Sequence, residues 1–250
     1  MALSKHKKTL AIIPARGGSK GFPGKNIATL CGFPLIAHSI MCSSITPEIN
    51  RAIVSTDSEE IAMVARDHGG DVPFIRPSEL AQDTSAMWPV IRHALDWIET
   101  TDSVNYDTVV LLDPTSPNRS PAQLRDVINS LWQDADTTGV ISVSEPDFHP
   151  IWHCVTQVSN KMADFHADGY KYVRRQDLPK VYRINGSIYA WKASFVRKNI
   201  VDWRSTGNNK IYEMDNFSSI HIDDEKQFKL AELMVDRGLI NFPWLEKEQI

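Results

Sequence analysis

From Leu10 to about Val143, short runs of β-branched and aliphatic residues alternate with longer stretches in which apolar side chains recur every three or four positions. That alternation is the rhythm of βαβ units, in which each strand is followed by a helix that covers the sheet. The pattern predicts strands over 10–14, 52–55, 72–75, 108–112 and 139–143, several of them apolar at every position, as strands buried on both faces are. Helices are predicted between them, near 34–43, 58–68, 85–100 and 121–132. Ser120 and Pro121 mark the start of the last of these, one as N-cap and the other at the first helical position. The expected fold class is therefore α/β, with a mostly parallel, helix-covered sheet.

Beyond Pro146 the rhythm gives way to aromatic and basic segments broken by turns. Strands are predicted at 151–157, 186–191 and 220–222, and a closing helix at 224–237. Residues 146–181 read as an appendage, polar and irregular, inserted before the last core strand. There is no internal repeat, and 250 residues at about 150 per domain make one domain over 1–250 that carries this appendage.

Composition narrows the class. With 42% apolar and 23% charged residues the chain has ordinary globular usage, which excludes disordered, collagenous and coiled-coil chains. Its 27 basic and 31 acidic residues leave a net charge of −4, without the basic excess of a non-specific nucleic-acid binder, so an anionic ligand has to be met by a local cluster. Cys31, Cys42 and Cys154 are odd in number and lack CxxC spacing, which argues for reduced thiols and against a disulfide framework or a cysteine zinc site. The basic run Lys5-His6-Lys7-Lys8 and the apolar residues after it imitate a secretory signal, but the apolar run stops at Arg16. No stretch approaches the roughly 18 uninterrupted apolar residues of a spanning helix. A cytoplasmic protein is expected, with neither a nucleic-acid polymer nor a membrane as partner.

The densest chemistry follows the first strand, in Ala15-Arg16-Gly17-Gly18-Ser19-Lys20-Gly21-Phe22-Pro23-Gly24-Lys25-Asn26. Four of the chain's 12 glycines fall between positions 17 and 24. Glycines let backbone N–H groups converge on an anion, and Arg16, Lys20 and Lys25 supply the positive charge that a triphosphate demands. The loop is no Walker A motif, because the spacing from Gly18 to Gly24-Lys25 is one residue too long and Asn26 stands where Ser or Thr is required; nor does it contain GxGxxG. Placed at the carboxyl end of a strand, where open α/β sheets bind ligands, it reads as a polyphosphate site.

This loop has every specified residue of the form A-R-x-x-S-K-G-x-P-x-K-N. Five further blocks follow in order: Val54-Ser55-Thr56-Asp57; Arg76-Pro77-Ser78-Glu79-Leu80-Ala81-Gln82-Asp83-Thr84; Pro114-Thr115-Ser116-Pro117 with Arg119; Arg183-Ile184-Asn185-Gly186-Ser187-Ile188-Tyr189; and Ser219-Ile220-His221-Ile222-Asp223. Together they resemble the acylneuraminate cytidylyltransferases, which activate sialic acid and related nonulosonic acids. The resemblance implies a Rossmann-like nucleotidyltransferase fold and transfer of CMP from CTP to the anomeric hydroxyl of an acidic nine-carbon sugar, with Mg²⁺ as cofactor and pyrophosphate as product. It implies that Arg16, Gly17, Gly18, Ser19, Lys20 and Lys25 cradle the triphosphate, with Arg16 and Lys25 catalytic, and that Asn26 and Arg76 sit near the nucleoside. Arg175, Arg183, Asn185 and Tyr189 would face the sugar. The appendage would form a homodimer in which Arg175 completes the partner's site.

Four positions depart from the pattern. The sialate enzymes carry an aspartate pair, S-I-D-I-D, where this chain has His221 and Asp223, and commonly a glutamine where it has Asp113. Mg²⁺ takes hard oxygen ligands, typically one or two carboxylates plus substrate phosphates, so Asp113 and Asp223 are the expected metal ligands and catalytic carboxylates. The other roles open to these residues are a turn or cap aspartate at 113 and a packed, hydrogen-bonded imidazole at 221. Met87 and Trp152 replace a small hydroxyl residue and a basic one, which leaves the sugar, and strict use of cytosine, open.

His149, His153 and His166 with Asp164 and Asp168 match no zinc spacing. The run Tyr170-Lys171-Tyr172-Val173-Arg174-Arg175 suits a subunit contact or a sugar-facing loop better than single-stranded nucleic acid. The competing functions are a sugar-1-phosphate nucleotidyltransferase using another nucleotide and a nucleotide-binding module without turnover.

Overall fold

The computed structural model describes residues 7–18, 20–198 and 202–245. In chain order the strands and helices are β1 (Thr9–Pro14), β2 (Thr29–Leu30), β3 (Phe33–Pro34), α1 (Leu35–Ser44), β4 (Arg51–Ser55), α2 (Glu59–Asp67), α3 (Met87–Asp102), β5 (Thr108–Leu111) and α4 (Pro121–Trp132). They continue with β6 (Gly139–Ser144), α5 (Pro150–His153), β7 (Val155–Val158), β8 (Lys161–Asp164), β9 (Arg183–Lys192), α6 (Ala193–Val196), α7 (Trp203–Thr206), β10 (Asn209–Glu213) and α8 (Glu225–Asp236).

Six strands form the central sheet in the order β10-β6-β9-β5-β1-β4. β1 runs parallel to β4 and β5, and β10 parallel to β6, while β9 is antiparallel to both of its neighbours. Period-two alternation along β1 sends Ala11 and Ile13 into one apolar cluster and Leu10 and Ile12 into the other. The first cluster is covered by α1, α2, α4 and α8, the second mainly by α3 and α6. Because each face of β1 is capped by helices, all six of its residues are buried.

Helix starts follow local chemistry. Ser120 Oγ accepts from Gln123 N at 3.2 Å while Gln123 Oε1 accepts from Ser120 N at 2.8 Å, a reciprocal cap with Pro121 just inside. Asp224 and Gln227 repeat the arrangement at α8. Ser58 caps α2, whose first turn carries Glu59 and Glu60, the charge sign that a helix N-terminus favours.

Three strand expectations are corrected. Residues 72–75 form no strand, only two bridges beside β4, at Ile53 with Asp71 and Thr56 with Ile75; Pro73 has no N–H to continue a ladder. The stretch 151–157 splits into α5, which begins at Pro150, and the exposed strand β7, which pairs with β8 through the positive-φ residues Ser159 and Asn160. Residues 220–222 are no strand either: Ile222 is buried and its N–H reaches the Thr115 carbonyl at 2.8 Å, so the segment packs on a loop. Strand β10 was not foreseen, because as an edge strand it alternates only partly buried and exposed residues and lacks an apolar run. Between β6 and β9, residues 146–181 leave the sheet as α5, the β7–β8 hairpin and short turns. Among the described residues no helix is long and apolar enough to cross a membrane.

His38 on α1 ties the C-terminal tail to this framework. Its side chain has no exposed surface; Nε2 lies 2.9 Å from the Leu30 carbonyl, and Nδ1 accepts from Trp244 Nε1 at 3.2 Å. These partners require a neutral ring protonated on Nε2. Burial pushes its pKa from 6.5 down to about 4. Below pH 6.5 the unfolded chain binds a proton here that the folded chain refuses, so acidification favours unfolding, by up to about 1.4 kcal/mol per pH unit until the folded value near 4 is reached. In His38→Gln, which keeps a donor and an acceptor but does not titrate, the urea midpoint should fall less steeply between about pH 6.5 and 4.5 than in the wild type; equal slopes would place the linkage elsewhere.

Candidate active site

The carboxyl ends of β1, β4 and β5 and the amino end of antiparallel β9 open on the same edge of the sheet, since Ser144 at the end of β6 pairs with Arg183 at the start of β9. Two cavities lie there. One, of about 410 Å³, is walled by Arg16, Lys20, Lys25, Asn26 and Arg76 of the expected nucleotide set. The other, of about 530 Å³, is walled by Arg183, Asn185 and Tyr189 of the expected sugar set. Asp113, His221 and Asp223 belong to both walls.

The loop after β1 is held by its own side chains. Asn26 Nδ2 donates to the Arg16 carbonyl at 3.1 Å, and Gly17 N donates to Asp57 Oδ1 at 3.0 Å. Gly24 takes a left-handed φ of 71° to turn the chain into the short helical turn that carries Lys25. A Cβ at Gly21 would stand 2.9 Å from the Asp223 carbonyl, so only glycine lets this loop press on the 219–223 segment. Lys25 crosses the contact, with Nζ 3.1 Å from Asp223 Oδ1. Gly17 and Gly18 border a shallower neighbouring pocket with Lys20 and Asp83 instead of the main cavity. Ser19 lies outside the described residues.

The cations are not idle in the ligand-free chain. Arg16 Nη1 is 2.6 Å from Asp83 Oδ1, and Lys20 pairs with the other oxygen of the same carboxylate. Hydrogen bonds from Lys20 and Arg16 hold the Asp83 carboxyl below the usual carboxylate range. Asp83 was legible as part of a block but had no role assigned to it. Arg76 is nearly buried, with Nε 3.1 Å from Ser55 Oγ and Nη2 on the Ser55 carbonyl. Burial pushes its guanidinium down to about 10 against the pull of Asp57. Met87, at the start of α3, lines the same cavity.

At the junction, Asp113 Oδ1 accepts from Thr115 N at 3.1 Å and Thr115 Oγ1 at 2.8 Å, the turn bonding expected of an aspartate before proline. Among the described residues its other oxygen takes no hydrogen bond. Burial raises the Asp223 carboxyl, but His221 and Lys25 outweigh it and leave the group below its ordinary range. His221 is hydrogen-bonded, with Nδ1 3.0 Å from Ser116 Oγ and Nε2 3.2 Å from Asp223 Oδ2, yet it stands on the cavity wall and not in the core. Gly186, at φ 74°, makes room for that imidazole, which a Cβ would approach to 3.1 Å. Among the described residues no group of three or more His, Cys, Asp or Glu side chains is arranged to hold a metal by itself, at this junction or around His149, His153 and His166.

In the second cavity, Asn185 Oδ1 accepts from Ser142 Oγ at 2.6 Å and Ser187 N at 3.1 Å, which fixes the amide orientation and leaves its buried Nδ2 without a hydrogen-bond partner among the described residues. Burial and the Asp113 charge push the Tyr189 phenol up to about 12, so it is a hydrogen-bond donor at neutral pH. Arg175 lines neither cavity and sits exposed in a turn of the appendage; Trp152, also outside both cavities, lies on α5 with its indole donating to the Tyr172 carbonyl. Two wall residues escaped the sequence reading. Gln227 was detectable as the third residue of the α8 cap, and Arg204, whose guanidinium lies 5.4 Å from the Trp203 ring, carries no local sequence signal.

The chain is 33% identical over 227 residues to the post-translational flagellin modification protein B of Campylobacter coli, covering 90% of this chain and 94% of that one. It is 37% identical over 198 residues to the CMP-N,N'-diacetyllegionaminic acid synthase of Legionella pneumophila, covering 77% and 81%. The solved structure of a CMP:2-keto-3-deoxy-manno-octonic acid synthetase complexed with CTP superposes with a TM-score of 0.67 over 92% of this chain and 99% of that one; at 16% identity this is a likeness of fold. Residues 10–237 match the family model described as cytidylyltransferase, and the chain belongs to that family.

Proposed function

We propose that this protein transfers CMP from CTP to the anomeric hydroxyl of a sialic-acid-like nonulosonic acid and releases pyrophosphate. The observation that carries the proposal is the pair of cavities meeting at Asp113, His221 and Asp223, one walled by the cations of a glycine-rich loop and the other by Arg183, Asn185 and Tyr189. Relatives named for CMP-diacetyllegionaminic acid synthesis support the sugar class. In the reaction the anomeric oxygen bonds to the α-phosphorus as the bond to the bridging oxygen of the pyrophosphate breaks, and the hydroxyl proton is released. Catalysis of such a displacement rests on alignment and on neutralising charge on the leaving group. Arg16, Lys20 and Lys25 supply that neutralisation. Arg183 offers a guanidinium to the sugar carboxylate. The unpaired Asn185 Nδ2 and the protonated Tyr189 offer donors to its hydroxyls and acyl groups.

Asp113 and Asp223 are the residues we assign to Mg²⁺. Their chemistry fits: two hard carboxylates, one with an oxygen left unbonded by Thr115 and one kept ionised by its basic neighbours. Two carboxylates alone do not make a cage, which suits an ion that completes its shell with phosphates and water. Bound there, Mg²⁺ would supply charge neutralisation and orientation of the phosphates. His221, with both ring nitrogens occupied and a poor match to a hard cation, stays outside that shell.

The appendage, 146–181, is proposed to pair with a second copy. Phe148, Met162, Phe165, Tyr170 and Val173 are each at least 69% exposed on it, a load of apolar surface that a lone chain rarely presents to water. Arg175, which lines neither of its own chain's cavities, would then reach the partner's sugar cavity. Three unpaired cysteines accord with a cytoplasmic setting.

Pyrophosphate release over a panel of four nucleoside triphosphates and several acidic sugars with Mg²⁺ tests the reaction directly; CTP with a nonulosonic acid should stand out. Arg16→Ala and Lys25→Ala should each weaken CTP binding by about 1.5–3 kcal/mol, roughly ten- to a hundredfold, and unchanged titrations in both would remove the loop from the triphosphate site. Turnover against Mg²⁺ concentration should shift to higher metal and drop by orders of magnitude in Asp113→Asn and Asp223→Asn, with a milder loss in His221→Ala. The reverse ranking would reassign the ligands. A folded chain lacking the appendage should sediment as a monomer; a dimer would move the subunit contact to another surface.

A further inference from the structure

Arg119 has no exposed surface, and among the described residues no carboxylate comes within ion-pairing distance of it. Burying a guanidinium without a counter-ion is expensive, and a neutral side chain of similar length would fill the space at less cost. Burial pushes it down to about 10, so it still carries its charge at neutral pH. Its hydrogen bonds show where that charge acts. Nη1 donates to Ser39 Oγ on α1 at 2.8 Å, Nε to the Ser187 carbonyl on β9 at 2.9 Å, and Nη2 to the Asp113 carbonyl.

The three acceptors lie on three different elements around the site. Ser39 is on α1, which follows the glycine-rich loop, Ser187 is buried in β9 between the wall residues Asn185 and Tyr189 in sequence, and Asp113 stands where the two cavities meet. The Asp113 carbonyl also accepts from Ser116 N at 3.1 Å. With its carbonyl held by two donors and Oδ1 held by Thr115, the residue has one carboxylate oxygen left to point into the junction. Cys42 Sγ, at 3.5 Å from the Arg119 carbonyl, adds a second tie to α1.

We propose that Arg119 is a positioning residue for the transfer reaction: from beneath the site it fixes the Asp113 carboxylate relative to both cavities and offsets the negative charge gathered there. This rests on the cytidylyltransferase reading and on Asp113 as a metal ligand. Arg119 touches no substrate; it acts through Asp113 and the Ser187 segment. A lysine in its place would keep the charge but, as a single ammonium on a flexible stem, would not hold three acceptors in a plane.

The test uses the full chain with Arg119→Lys and Ser39→Ala, the second removing one anchor without touching the charge. Calorimetry with CTP in the absence of metal should give affinities within about threefold of wild type in both. Mn²⁺ binding to the CTP complex, followed by electron paramagnetic resonance, should weaken at least fivefold in Arg119→Lys and two- to threefold in Ser39→Ala. The kcat should fall ten- to a hundredfold in the former with KM for CTP nearly unchanged. A lowered melting temperature with wild-type Mn²⁺ affinity and wild-type kcat per folded molecule would show that Arg119 only packs the core and would overturn the proposal. If Arg119→Lys does not fold, wild-type Mn²⁺ affinity and kcat in Ser39→Ala overturn it equally. A wild-type CTP complex that binds no Mn²⁺ would instead break the assignment of Asp113 to the metal, and this proposal with it.

Discussion

Lys25 and Asp223 stand 198 positions apart in the chain, and their ion pair at 3.1 Å closes the cavity at the edge of the sheet. The first loop after β1 and the last segment before α8 meet there and where Gly21 presses on the Asp223 carbonyl. The contact brings the cation we propose for phosphate and a carboxylate we propose for Mg²⁺ into the wall of one cavity, which Asp113 also lines. The pair also keeps two opposite charges ready in a partly buried place without leaving either unpaired.

The same logic runs through the other charged groups. Arg16 and Lys20, the cations we propose for the triphosphate, pair with Asp83. These pairs are largely exposed, so they are weak and easily exchanged for a ligand of higher charge. Arg76 and Arg119 are different. Both are buried and held by serine hydroxyls and main-chain carbonyls, so their positions are set before any ligand arrives. The site thus combines replaceable surface pairs around the loop we propose for phosphate with buried, hydrogen-bonded guanidiniums behind it, the pre-organisation on which electrostatic catalysis depends.

Antiparallel β9 is what gives this edge its second cavity. Inserted between β5 and β6, it enters the sheet from the edge where its neighbours leave it, so that Arg183, Asn185 and Tyr189 face Asp113 across the junction. Ser142 on β6 then orients the Asn185 amide, and Gly186 accommodates His221. A parallel strand in that place would have sent the same residues to the opposite end of the sheet.

Much of this was legible along the chain because its causes are local. Strands β1, β5 and β6 announced themselves by apolar residues at every position, α4 by Ser120 and Pro121, and the phosphate loop by its glycines and cations. The departures at Asp113 and His221 were visible as well, as residue types against a pattern. What stayed hidden depends on neighbours supplied by distant segments. Edge strand β10 has no apolar run to mark it, 72–75 looked like a strand until Pro73 met an edge without a donor to offer, and Arg204 became part of the sugar wall only because α7 lies beside β9. By itself, then, the sequence determined the α/β class, the five long helices α1 to α4 and α8, and the chemistry of each block. Only the tertiary structure decided that Asp83 pairs with the loop's cations, that His221 stands on the cavity wall, that Arg119 bonds the Asp113 carbonyl, and that Arg175 lines neither cavity of its own chain. Propensity, capping and glycine geometry act over a few residues, whereas the order and direction of strands in the sheet set which of the blocks come within hydrogen-bonding distance of each other.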